Sequence, residues 1–140
     1  MVTVTIKTSF DAAHVLSGYP GKCGNLHGHT YKLEVTVGTT ETNRMGMVVD
    51  YNVLKPAVSR VASSYDHAFL CGYEDPSELE DVCLKLGYKI KYIKGYSSTE
   101  NMAKQLAEEL TYAAAKEQSG WKLVKVRLAE TDSTYAEVLV

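Results

Sequence analysis

The chain has 140 residues, of which 45% are hydrophobic and 23% charged, and its formal net charge is -2. This composition is typical of a single compact domain over 1–140 and excludes a disordered or fibrous chain. A general binder of nucleic acid or anionic membrane normally carries a basic excess, which is absent here. No stretch approaches the roughly 18 apolar residues of a membrane span. The odd number of cysteines, three, and the lack of an apolar signal core near the first residue predict free thiols and a cytoplasmic location.

Alternating apolar and polar residues predict the strands. Val2, Val4 and Ile6 alternate with polar neighbours, and the same period of two returns further along the chain. It predicts strands at 2–7, 29–37, 88–96, 122–130 and 134–140, the last two antiparallel. The long connection 11–28, rich in glycine and histidine, is the first candidate for a functional segment.

Apolar residues at helical spacing, together with capping signals, predict three helices, at 52–64, at 75–86 and from the Ser97–Glu100 capping box to Gly120. In the first, Pro56 is compatible only with a place in the first turn. In the second, Asp75 is expected to cap the helix, Pro76 to occupy its first position and Gly87 to end it. The elements together predict one α+β domain.

Three of the four histidines lie close together in the sequence and suggest a metal site. In His27-Gly28-His29, the spacing of two points both imidazoles to one face of a strand. His14 lies just past the end of the first predicted strand, and an antiparallel return would bring it beside the pair. Three histidines would leave one zinc position open, as in catalytic sites, whereas Cys23 as a fourth ligand would make a closed structural site. Capping or surface roles for the histidines are the alternative.

The fourth histidine, His67, follows Asp66 at the end of the first predicted helix. If the fold brings it near Cys23, His67 would share a proton with the thiol while Asp66 orients the imidazole ring. A histidine packed at a helix C-terminus is the simpler interpretation. Glu130 ends an alternating strand, where it is either solvated or able to accept two N–H groups from a flat heterocycle such as a pterin.

Taken together, these segments resemble the 6-pyruvoyl-tetrahydropterin synthase superfamily, and most closely its 6-carboxy-tetrahydropterin synthases of the queuosine and 7-deazaguanine route. The matching stretches lie in family order and span nearly the whole chain. They are FDAAHVL (10–16), CGNLHGHTY (23–31), GMVVDYNVLK (46–55), YDHAFL (65–70), STENMA (98–103) and AETDSTYAEV (129–138).

The resemblance implies a role for each candidate residue. Zinc would be held by His14, His27 and His29. Cys23 would be the catalytic base, with His67 and Asp66 completing a proton relay, while Glu130 anchors the pterin ring with help from Thr99. The implied substrate is 7,8-dihydroneopterin triphosphate, from which Cys and His remove protons beside zinc-bound side-chain hydroxyls before triphosphate leaves.

The gap between Cys23 and His27 distinguishes branches within the superfamily. Three residues separate them here, which is similar to the carboxy branch, whose enzymes release acetaldehyde together with triphosphate. The pyruvoyl branch typically has a longer gap and is the alternative, since it uses the same substrate and eliminates only triphosphate. A zinc hydrolase and a structural zinc-binding module are more distant alternatives.

The resemblance also implies the tunnelling fold, a four-stranded antiparallel sheet with helices on one face. Sheets of this kind close into a β-barrel in a trimer or hexamer, with active sites between subunits, so that Glu130 would serve zinc ligands of another chain. Residues 71–96 form an insertion relative to compact members, with a helix and a short strand. Within or beside it, Cys83 is interpreted as an apolar helix residue and Cys71 has no assigned role.

Overall fold

The computed structural model describes residues 1–75, 78–117 and 120–140. The chain forms an α+β structure with a short 3-10 turn at Lys22–Gly24. Its helices and strands are β1 (Val2–His14), β2 (His27–Thr39), α1 (Tyr51–Ser63), β3 (Ala68–Gly72), α2 (Glu78–Leu86), β4 (Ile90–Ile93), α3 (Thr99–Glu117), β5 (Lys122–Ala129) and β6 (Tyr135–Leu139).

The sheet has six strands in the order β4-β3-β1-β2-β5-β6. The strands β1, β2, β5 and β6 are antiparallel neighbours. On the other side, β3 pairs in parallel with β1, and β4 in parallel with β3. The sheet is therefore mixed and larger than the expected four-stranded antiparallel sheet, because β3 and β4 extend it beyond β1.

The main core lies on one face of this sheet, beneath α1 and α3. Alternation places every second side chain of β1 and β2 on that face, where the two helices cover it. The largest fully buried core side chains are Phe10, Tyr31, Leu33, Leu54, Tyr65, Leu70, Ile93, Met102, Leu106, Leu110 and Leu128. No helix within the described ranges is long and apolar enough to cross a membrane.

The helix α2 lies on the opposite face, so the expectation of helices on one face is wrong for it. Leu70 and Ile93 point into the main core, and Cys71 and Tyr92, which pair across β3 and β4, point away from it. Glu80 of α2 contacts both of the latter, accepting from Tyr92 Oη at 2.8 Å and lying 3.9 Å from Cys71 Sγ.

The first two strands are longer than predicted. Burial alternates through Phe10, Ala12 and His14, so β1 continues to His14 and ends there rather than before it. The return strand starts at His27, directly opposite His14. The predicted connection of 11–28 is therefore reduced to 15–26, which still contains Cys23.

The helices begin close to their predicted starts, with local differences. The helix α1 begins at Tyr51, and its cap Asp50 accepts from the backbone N–H of Asn52. Pro56 is consequently the sixth helical residue, beyond the predicted first turn. In α3, the cap is Ser98, whose hydroxyl accepts from Asn101 N–H at 3.3 Å.

In the insertion, the predicted helix and strand are both present as α2 and β4. The predicted first helical position, Pro76, lies outside the described residues. The Asp75 carboxylate accepts from the backbone N–H of Ser17 at 3.0 Å. The end of α2 agrees with the prediction, since Gly87 follows it with a φ of 73°, a conformation that glycine adopts without steric cost.

Candidate metal centre and active site

The three histidines predicted as metal ligands converge where β1 ends and β2 begins. His14 and His27 are cross-strand partners, and His29 lies two residues along β2 on the same face. The Nε2 atoms of His14 and His27 are 3.0 Å apart, and one ligand atom from each of the three rings lies within 4.8 Å of the others. This separation is suited to one metal ion bound by three imidazoles.

Two of the rings are oriented by backbone carbonyl groups. His14 Nδ1 lies 2.7 Å from the carbonyl oxygen of Ser97, and His27 Nδ1 lies 2.7 Å from that of Asn25. A carbonyl oxygen only accepts, so in each ring Nδ1 carries the hydrogen and donates it. In the neutral rings this leaves the Nε2 lone pairs directed at the common centre, the arrangement typical of metal-ligating histidine.

The burial of these rings also favours metal binding. His14 is fully buried, and burial is the main reason that its pKa is lowered, which keeps the ring neutral and able to ligate. Within the described residues, His29 Nε2 is buried without a hydrogen-bond partner. A buried ring nitrogen of this kind is costly unless it binds something, so the residues fit a metal ion.

Cys23 lies in the 3-10 turn between β1 and β2. Its carbonyl oxygen accepts from Leu16 N–H at 2.9 Å, which ties the turn to the end of β1. The next residue must be glycine, because a Cβ atom on Gly24 would lie 2.3 Å from the carbonyl oxygen of Tyr19. The thiol is partly buried and is not in a disulfide.

Cys23, Thr99 and Glu130 line one cleft of about 170 Å³. Thr99 is the first residue of α3 and Glu130 directly follows β5. The Glu130 carboxylate lies 3.5 Å from His14 Nε2 and 3.6 Å from His29 Nε2 of its own chain. The structure thus brings the predicted ring anchor next to the histidines of the same chain. Cys23 is not in the converging group of three histidines.

Asp66 and His67 lie elsewhere, between α1 and β3. His67 has a left-handed backbone with a φ of 56°, and its N–H donates to the carbonyl oxygen of Asp11 at 2.6 Å. The Asp66 carboxylate accepts from Asp11 N–H at 2.9 Å and lies 3.0 Å from His67 Nδ1. The Asp11 hydrogen bond, followed by His67, lowers the pKa of Asp66, so the carboxylate is ionised and orients the ring.

His67 lines a second and larger cavity, of about 640 Å³, whose walls include Asp11, Thr30, Phe69 and Tyr88. Cys23 does not line that cavity, and His67 does not line the cleft of Cys23. The structure therefore groups Cys23, Thr99 and Glu130 beside the histidine triad, and it holds Asp66 and His67 as a separate pair.

Several residues of this region were missed by the sequence analysis. Asp11 anchors the Asp66–His67 pair, and the backbone carbonyl groups of Ser97 and Asn25 orient the rings of His14 and His27. Tyr31 is fully buried, and its hydroxyl has no hydrogen-bond partner among the described residues. Its pKa is raised by burial first and then by the charges of Glu130 and Cys23. Asp11, Asn25 and Tyr31 belong to stretches that carry the resemblance, whereas Ser97 does not.

The two remaining cysteines do not line the Cys23 cleft. Cys71 is buried on β3, where burial and the neighbouring Glu80 raise the pKa of its thiol to about 11. Cys83 is buried on α2, as predicted for an apolar helix residue, and lines the larger cavity. All three cysteines of the chain are free thiols in this structure.

Comparison with known proteins agrees with this geometry. A relative from Rickettsia bellii (strain RML369-C), named 6-carboxy-5,6,7,8-tetrahydropterin synthase, is 32% identical over 99% of this chain and 100% of its own length. One of the same name from Aquifex aeolicus (strain VF5) is 38% identical over 83% of this chain and 75% of its own.

Among solved structures, the 6-pyruvoyl tetrahydropterin synthase of Caenorhabditis elegans superposes with a TM-score of 0.70 at 26% identity, covering 99% of this chain and 95% of that one. The sequence profile of 6-pyruvoyl tetrahydropterin synthase matches residues 3–139. Nearly the whole chain is thus accounted for by one profile, and the chain belongs to the 6-pyruvoyl tetrahydropterin synthase family of enzymes.

Proposed function

We propose that this protein converts 7,8-dihydroneopterin triphosphate and one water molecule to 6-carboxy-5,6,7,8-tetrahydropterin, triphosphate and acetaldehyde. The observation that carries the proposal is the convergence of His14, His27 and His29 beside the cleft of Cys23 and Glu130. The three-residue gap between Cys23 and His27 and the relatives named 6-carboxy-5,6,7,8-tetrahydropterin synthase favour the carboxy product over the pyruvoyl product.

We propose zinc as the metal and the three histidines as its ligands. Neutral imidazoles in a set of three are typical of catalytic zinc sites. A zinc ion bound there acts as a Lewis acid, which makes C–H bonds beside ligated oxygens easier to deprotonate. The carbonyl groups of Ser97 and Asn25 keep the rings in the ligating tautomer.

The proton transfers are assigned to Cys23 and His67. Cys23 removes a proton from the substrate side chain, and the imidazole of His67 accepts or returns the other, with Asp66 holding the ring through the 3.0 Å contact. Glu130 accepts two N–H groups from the pterin ring, a task that suits a carboxylate with two oxygens. Thr99, which lines the same cleft, helps to hold the ring.

These roles require an oligomer, because Cys23 and His67 of one chain line different cavities. The Cys23 cleft, at about 170 Å³, is smaller than the roughly 300–1,000 Å³ of ordinary small-molecule sites. We propose that a neighbouring copy completes it with its own Asp66–His67 pair.

The sheet supports such an assembly. The strand β1 pairs with β3 only at Ala12 and Ala13, so its remaining edge has no strand partner within the described chain. The strand β6 is the other end of the antiparallel part, and Leu139 and Val140 beside it are 75% and 65% exposed. Pairing of β6 with β1 of the next copy would close these edges into a barrel, in a trimer or hexamer.

Product analysis tests the proposed function. Zinc-loaded protein is incubated with 7,8-dihydroneopterin triphosphate, and the products are identified by mass spectrometry beside a Cys23→Ala variant. The expected result is 6-carboxy-tetrahydropterin with acetaldehyde, and neither product from the variant. A 6-pyruvoyl product would reassign the branch, turnover that survives loss of Cys23 would indicate a hydrolase, and no turnover by a zinc-loaded oligomer would contradict the substrate.

A further inference from the structure

The carboxylate of Glu130 lies close to two of the three histidines that are proposed to bind the metal. Its carboxylate oxygen Oε1 is 3.5 Å from His14 Nε2 and 3.6 Å from His29 Nε2. Zinc binds nitrogen and oxygen ligands at about 2.0–2.2 Å, so two ligand atoms of one tetrahedral site lie roughly 3.3–3.5 Å apart. The carboxylate oxygen is therefore at the separation expected between ligands of a common ion for His14 and His29, although Glu130 is not in the converging group of three histidines.

For His14, the hydrogen positions exclude an ordinary hydrogen bond as the reason for this approach. The proton of the neutral His14 ring is on Nδ1, where it is donated to Ser97. His14 Nε2 therefore presents a lone pair to the Glu130 oxygen, and it presents the same lone pair to His27 Nε2 at 3.0 Å. Electron-pair donors at these distances are stabilised when a cation lies between them.

Glu130 lies at the junction of a strand and a turn, at the edge of the Cys23 cleft. It follows the last residue of β5 and precedes a turn held by hydrogen bonds from Thr131 to Ser133 and Thr134. Its side chain is 25% exposed and lines the Cys23 cleft, so the carboxylate borders both the histidines and the cleft.

We propose that Glu130 is an exchangeable fourth ligand, which binds the divalent cation in the free enzyme and leaves it when a pterin ring takes the carboxylate. The part that concerns the pterin rests on the proposed function, whereas the part that concerns the cation does not. A carboxylate that accepts two N–H groups from the ring uses both oxygens, so it cannot also complete the metal site. Binding of the pterin ring would then open a coordination position on the cation in the same event.

Metal affinity tests the first part without reference to activity. Purified oligomer competes with a chromophoric chelator for Zn²⁺, and wild type is compared with Glu130→Ala and Glu130→Gln. The matched control is Glu41→Gln, which neutralises an exposed carboxylate in the turn after β2. Loss of a direct ligand is expected to raise the Kd for Zn²⁺ by at least about 10-fold, and the control is expected to leave it unchanged. Equal Kd values in all four proteins would overturn the proposal.

Visible absorption of the Co²⁺-loaded protein tests the exchange. The probe is pterin itself, which has the ring without side-chain hydroxyls and therefore offers no second oxygen ligand of that kind. Pterin is expected to change the Co²⁺ bands of wild type toward those of Glu130→Ala, and to leave the variant unchanged. If Glu130→Ala loses turnover while keeping wild-type Zn²⁺ affinity and Co²⁺ bands, Glu130 is a ring anchor alone and the inference fails. If the Glu130 variants lose Zn²⁺ affinity but the wild-type protein does not turn over the substrate, the proposed function fails and the assignment of Glu130 as a ligand stands.

Discussion

Cys23 and His67 line separate cavities of the same chain, the first beside the histidine triad and the second beyond the end of α1. Both are assigned proton transfers on one substrate, so the assignment holds only if two chains contribute to each site. Symmetric closed oligomers build such sites from two different surfaces of identical chains.

Mixing two inactive variants is therefore expected to restore activity. Cys23→Ala and His67→Ala oligomers, each inactive alone, are dissociated, mixed in equal amounts and reassembled. Random assembly in a symmetric oligomer gives about a quarter of the sites an intact cysteine and an intact histidine, so about a quarter of wild-type turnover is expected. The double variant mixed with itself is the control, and a reassembled mixture as inactive as that control would show that one chain supplies both groups.

Metal content is expected to differ between a His29→Ala variant and a His67→Ala variant. Replacing His29 with alanine removes one of three converging nitrogen atoms, and we expect metal affinity to fall by at least about 10-fold. His67→Ala is the matched control, because the same side chain is removed away from the triad. Zinc per chain is measured by atomic emission after dialysis, and equal loss in the two variants would contradict the assignment of ligands.

Position 24, which directly follows Cys23 in the turn, should tolerate no side chain. In Gly24→Ala the new Cβ would lie 2.3 Å from a backbone oxygen, so the turn must shift and carry the thiol with it. We expect kcat to fall at least about 10-fold while the thermal midpoint changes by only a few degrees, since the turn lies outside the main core. Gly21→Ala is the control, because its Cβ meets only the Tyr19 ring, at 3.1 Å. An active Gly24→Ala enzyme would contradict the constraint.

Alkylation should distinguish the three cysteines in the native protein. With a pKa of about 11, only about one thousandth of Cys71 is thiolate at pH 8, and the side chain is 4% exposed. We expect iodoacetamide to modify the partly exposed Cys23 first, and to reach Cys71 and Cys83 only in denaturant. Peptide mass spectrometry with time measures the order, and fast native labelling of Cys71 would be inconsistent with its burial.

The Asp66 carboxylate should contribute to stability in a pH-dependent manner. Its pKa is lowered in the folded chain by the N–H of Asp11 and by His67. A group with a lowered folded pKa stabilises the fold above its unfolded pKa of about 3.9, and this contribution disappears as the pH falls through the folded pKa. Asp66→Asn is thus expected to unfold at lower urea than wild type at pH 6, with a difference that shrinks below about pH 4. A difference that stays constant with pH would contradict this origin.

The sequence predicted most strands and helices because their signals are local. Alternation in β2, β5 and β6 and the capping signal near the start of α3 depend on residues a few positions apart. The strand β3 was missed because Ala68–Gly72 is a short apolar run without alternation, as is usual for a strand covered on both faces. Its parallel pairing with β1 depends on contacts more than 50 residues apart in sequence, which no local pattern reports.

The sequence predicted which side chains converge at the site, but it did not predict the backbone groups that orient them. The convergence of His14, His27 and His29 was predicted from residue type and spacing, whereas the role of Cys23 stays a prediction. The carbonyl oxygens that orient the rings belong to every residue alike, so nothing in the identity of Ser97 or Asn25 indicated them. The separation of Cys23 from His67 is likewise a property of the folded chain.

The hydrogen bond from His14 to the Ser97 carbonyl joins two residues 83 positions apart. On a ribosome, all three converging histidines leave the exit tunnel long before Ser97 does. The His14 ring is therefore held in place only once the start of α3 has docked beside β1. Tight metal loading should accordingly begin late in synthesis, so that nascent chains released before that point will bind the ion weakly.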